Sequence, residues 1–142
     1  GRVVGIGDSV ANEYRAVGER AEALRLEAER DAAAKAKSRR ESRRKSFQAK
    51  LREADKLLEK GESRLTKAHG NCGHIPSRVR EIDMALAKAR NCRRKIDSAR
   101  SKIHSGKFED VEHQLGGLKR EAAEVSKSAK SIPTYCGSVI TD

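Results

Sequence analysis

Apolar residues recur in alternating steps of four and three along four stretches of this chain, and that spacing excludes most folds other than packed helices. The first stretch is Val10, Tyr14, Val17, Ala21, Leu24 and Ala28. The second is Phe47, Leu51, Ala54, Leu58, Gly61 and Leu65, and the third is Val79, Ile82, Leu86, Ala89, Cys92, Ile96, Ala99 and Ile103. The fourth, Phe108, Val111, Leu115, Leu118, Ala122, Val125, Ala129 and Ile132, runs without a miss. Each draws a narrow stripe on one helix face.

The punctuation between stripes sets the topology. Residues 31–46 hold neither Pro nor Gly, and Ala, Arg and Lys favour helix there. The spacing therefore predicts one helix, or two in line, over residues 9–68, with Asp8 or Ser9 as its cap and a length of roughly 90 Å. Three glycines in residues 1–8 predict a flexible N-terminus. The HGNCGHIPS segment, His69 to Ser77, reads as a loop, and Pro76 blocks backward extension of the next helix. A connection at Ser105–Lys107 forces helices 77–104 and 107–132, each near 40 Å long, into an antiparallel hairpin. Residues 47–68 supply a third helix.

The expected fold is thus all-α: a projecting helical arm over 9–46, a three-helix coiled-coil-like bundle over 47–132, and an extended tail over 133–142. Gly116-Gly117, inside the last helix, reads either as a tolerated weak point or as a close helix–helix approach.

Composition agrees. Charged residues make up 37% of 142 residues and aromatics 3%, too few rings for the usual globular core of this size. The net charge of +11 is concentrated in two blocks. Residues 35–50 carry Lys35, Lys37, Arg39, Arg40, Arg43, Arg44, Lys45 and Lys50 against Glu41. Residues 77–104 carry nine basic groups, Arg93, Arg94 and Arg100 among them, against three acids. In an antiparallel pair turning near residue 73, Arg100 falls level with Ser46 and Arg94 with Arg52, so the blocks meet. Glu109, Asp110 and Glu112, level with Lys102, Arg100 and Ala99, offer part of the relief.

Such blocks are either solvated faces or sites for an anion: nucleic acid, another polyanion, an acidic protein or a lipid headgroup. Counterion release makes nucleic-acid binding salt-sensitive. No aromatics are interleaved for base stacking, and no DNA-reading motif is legible, which points to sequence-independent binding if any. The basic helix has no apolar face opposite for a membrane surface, and no run approaches a membrane span.

Chemistry-bearing residues are sparse. Cys72, Cys92 and Cys136 make an odd count, which argues against a closed disulfide framework. The expectation is therefore reduced thiols and an intracellular or intraparticle setting. Cys92 is read as a buried thiol, and Cys136 as free or paired with another chain. Cys72, His74 and His69 fall short of the four ligands of a structural zinc. Gly5-Ile6-Gly7 lacks the context of a phosphate loop. No signal peptide is legible, and a start at Gly1 without Met leaves a processed terminus open.

No catalytic, cofactor or metal site is expected. The pattern predicts a non-enzymatic structural or assembly protein that docks onto itself, as a homo-oligomer, or onto other chains through Val10, Tyr14, Val17, Ala21 and Leu24. The alternative is a sequence-independent nucleic-acid binder using residues 35–50 and helix 77–104. Residues 47–132 resemble spectrin repeats in architecture alone, and the Ala/Arg/Lys/Glu-rich makeup is similar to that of scaffolding components of viral particles. That similarity implies a place in a larger particle.

Overall fold

A computed structural model describes the backbone of residues 2–137 and the side chains of 7–137. It is all-α and about 90% helical. Helix α1 spans Arg2–Asn71, α2 spans Pro76–His104 and α3 spans Phe108–Ser131. The chain divides into two units, residues 1–42 and 43–142, and α1 contributes to both. The last five residues of the expected tail, 138–142, lie outside the described residues.

The N-terminal expectation is corrected. Helix α1 begins at Arg2, ahead of the Asp8 or Ser9 cap, so residues 2–8 are helical. Nothing there forbids it: the stretch contains no Pro, and each Gly costs only about 1 kcal/mol relative to Ala.

In the second unit, residues 43–71 of α1 pack with α2 and α3 around one core. Every predicted stripe residue from Phe47 to Leu65 and from Phe108 to Ile132 is buried. In α2 all are buried except Val79 and Leu86, which are half-buried at its edge. The α1 stripe also runs on past its predicted end, through Ala68 to Cys72, keeping the three-four step.

Local chemistry ends each helix. Pro76 occupies the first turn of α2, where a missing N–H costs nothing. Gly106, at φ 77°, makes the turn into α3, a conformation that penalises a Cβ. Glu109 and Asp110 place negative charge at the start of α3. At its other end Arg64 of α1 donates to three carbonyls, from Nε to Ala129 O at 2.9 Å and from Nη2 to Lys130 O at 3.4 Å and Ile132 O at 3.3 Å. A guanidinium on the last carbonyls satisfies orphan acceptors and complements the helix dipole.

Of the two readings of Gly116-Gly117 the open, tolerated position holds, and a close approach occurs at Gly61 instead. A Cβ at Gly116 or Gly117 would meet nothing within 4 Å. At Gly61 it would meet Val125 Cγ1 at 3.1 Å and the Ser126 backbone at 3.3 Å.

Cys72 and Cys136 form a disulfide, with Cα atoms 5.1 Å apart. This corrects the reading of reduced thiols and of Cys136 as free or bonded to another chain. Two cysteines close one bridge and the odd one, Cys92, is the buried remainder. The bridge ties the non-helical segment after α3 to the end of α1, where Asn71 Nδ2 also donates to Thr134 O at 2.6 Å.

Candidate interaction surfaces

The predicted docking stripe lies in the first unit and is open to solvent. Val10 is 44% exposed, Tyr14 76%, Val17 58% and Leu24 67%, and Ala21 and Ala28 are exposed too. The identical spacing over 47–72 is buried to 5% or less at each apolar residue. Leu26, off the stripe, is 41% exposed.

The basic block divides in two. Lys35, Lys37, Arg39, Arg40 and Lys45 are exposed along α1. Arg43 and Arg44 are drawn onto the end of the bundle instead. There Phe47 and Phe108 meet edge to face, with ring centroids 5.6 Å apart. The Arg43 guanidinium sits 5.4 Å from the Phe47 ring and 5.6 Å from the Phe108 ring, while its Nη2 contacts Glu112 at 2.9 Å. The Arg44 guanidinium lies 5.8 Å from Phe108. Cation–π contact and an ion pair thus hold Arg43 to the fold.

The second block is partly neutralised from within. Arg93 bridges Asp55 and Glu62 of α1, and Arg100 reaches Asp55 at 2.8 Å and Asp97 at 3.1 Å. The hydrogen bond that Arg93 donates to Glu62 is the main influence holding its guanidinium well above its ordinary pKa, with the bond to Asp55 adding to it against desolvation. Arg94, by contrast, is exposed. The relief expected from Glu109, Asp110 and Glu112 comes, for Arg93 and Arg100, mainly from Asp55 and Glu62, which lie three and ten residues beyond Arg52 on α1. Glu112 serves Arg43 across the α1–α3 contact.

Two further features concern chemistry. Cys72 is spent in the disulfide, and His69 lies 3.6 Å from Asp83 rather than beside a second thiol. Among the described residues no group of three His, Cys, Asp or Glu could hold a metal ion. Burial pushes the Cys92 thiol up to about 11. A groove of about 520 Å³ between α1 and α3 is lined by Lys60, Arg64, Lys67 and Lys130 with Glu59 and Ser126. Another of similar volume lies between α2 and α3, opened by Gly117.

Of the features sequence reasoning missed, Arg64 had no local signal, since its carbonyl partners are 65 to 68 residues away. Gly61 had one: a glycine at a core position of a heptad marks close approach. No described helix is long and apolar enough to cross a membrane. Comparison with protein-family models, with curated proteins and with solved structures finds no match to this chain.

Proposed function

We propose that this chain is a non-enzymatic assembly protein that docks onto itself or onto other protein chains through the face carrying Val10, Tyr14, Val17, Ala21 and Leu24. The supporting observation is the contrast between two equal patterns. Residues 47–72 bury their heptad stripe, while residues 10–24 leave theirs 44–76% exposed at the large side chains. An isolated helix without tertiary packing is marginal in water, and an exposed apolar seam at this spacing gains stability by taking a partner helix.

The disulfide bears on the setting. The expectation of an intracellular or intraparticle location rested on unpaired thiols, and the bridge removes that basis. Disulfides form and persist in oxidising surroundings, and the single remaining thiol is buried.

Thermal melting followed by circular dichroism tests this reading. If the first unit docks on itself, the midpoint of its helical transition rises with protein concentration from micromolar to millimolar. A midpoint independent of concentration, with no partner chain captured by the intact stripe, sinks the proposal.

A second reading, sequence-independent nucleic-acid binding, rests on the exposure of Lys35, Lys37, Arg39 and Arg40. Replacing these four with Gln should abolish most of a salt-sensitive gel shift on duplex DNA. An unchanged shift discards it.

A further inference from the structure

We infer that the occupant of the exposed stripe is a second copy of the same helix, paired antiparallel so that facing residues add to 31. The inference rests on the docking role proposed above, and adds orientation and register to it.

The stripe assigns heptad positions. Tyr14, Ala21 and Ala28 occupy a, Val10, Val17 and Leu24 occupy d, and Glu13, Arg20 and Glu27 fall at the flanking g positions. In an antiparallel pair, a faces d and g faces g. In a parallel pair, g faces the e residue of the next heptad, and these flanking charges select the orientation.

The parallel arrangement sets Arg20 against Arg25 of the second copy, twice by symmetry. The antiparallel register in which facing residues add to 38 sets Glu13 against Glu27 and Arg20 against itself. One heptad further, at 45, charges agree, but Tyr14 faces Asp31 and Val10 faces Lys35 in the core. At 31 the conflicts vanish. Tyr14 faces Val17 of the second copy, Val10 faces Ala21, and Leu24 faces Gly7, whose missing side chain leaves room. A Cβ there would meet nothing within 4 Å in the single chain. Arg20 of each copy then lies beside Glu13 of the other, so the pair forms twice along the flank where g faces g. All of these residues are solvent-exposed in the structure, so pairing displaces no existing contact with the core.

The register also disposes of the basic block. With the crossing centred between Arg15 and Ala16, Lys35, Lys37, Arg39 and Arg40 of the two copies lie beyond opposite ends of the overlap, where their positive charge is not brought together.

Disulfide trapping in the full chain tests the geometry, because the native cysteines are bridged or buried. Tyr14→Cys mixed with Val17→Cys should yield the mixed dimer under mild oxidation, with little product from either variant alone. Arg20→Glu should weaken self-association roughly tenfold, by turning two attractive flanking pairs into repulsive ones, and adding Glu13→Arg should restore it. Parallel pairing predicts the reverse: trapping by each single variant, and tighter association for Arg20→Glu, which would face Arg25. Sedimentation of the untrapped chain separates the two levels. Association with the parallel pattern overturns this pairing alone, whereas a monomer throughout overturns the self-docking reading with it.

Discussion

Gly61 of α1 packs against Val125 of α3 so closely that a Cβ added to the glycine would sit 3.1 Å from Val125 Cγ1. The Ser126 backbone, at 3.3 Å, closes the other side and has little freedom to move. Gly61→Leu should therefore destabilise the bundle by about 2 kcal/mol or more through overpacking. Gly116 is also helical but open, so Gly116→Ala should stabilise by about 0.5–1 kcal/mol. Urea unfolding of the two variants checks this; shifts of the same sign would contradict the assignment of the close contact.

Arg93 is the hinge of the internal charge balance, because it bridges Asp55 and Glu62 while all three side chains are at least two-thirds buried. Arg93→Met leaves two carboxylates without their partner in a poorly solvated groove. A loss of about 1–3 kcal/mol is expected, and a double-mutant cycle with Asp55→Asn should show coupling of at least about 0.5 kcal/mol. Additive effects would mean the bridge is energetically silent.

The disulfide encloses most of the bundle, joining residues 64 apart in sequence. Chain-entropy reasoning gives about 2–5 kcal/mol for such a closure. Cys136→Ser should lower stability by that order. Thiol titration of the unfolded, unreduced chain should find a single reactive group, Cys92. Three thiols would contradict the bridge.

The raised pKa of Cys92 gives a pH signature. Its thiol ionises near 9.0 when unfolded and near 11 when folded, because burial disfavours the thiolate. Its contribution is therefore fully present below pH 9 and lost as pH rises through 11, since only the unfolded chain releases the proton early. Stability measured from pH 8 to 11 should fall more steeply in the native chain than in Cys92→Ala. Parallel curves would show that the thiol ionises equally in both states.

Helices and core were legible because heptad spacing is local: every stripe residue of 47–65 and 108–132 is where periodicity places it. What escaped is long-range. The Cys72–Cys136 pairing depends on the tail folding back to α1, which an odd cysteine count obscures. The neutralisation of Arg93 and Arg100 depends on Asp55 and Glu62 lying on the facing side of another helix, and a charge tally along the chain cannot register that. Arg43 looked like part of a free basic run, yet Phe47, Phe108 and Glu112 converge on it from two helices. At the candidate surface, sequence identified the stripe, and the structure supplied its exposure.

Sedimentation equilibrium of the full chain against Val17→Glu/Leu24→Glu tests the central claim most directly. The account predicts concentration-dependent association of the native chain, abolished in the variant, with the bundle's own unfolding transition unchanged. A native chain that stays monomeric into the millimolar range and captures no partner through residues 10–24, or one whose association survives both substitutions, would contradict it.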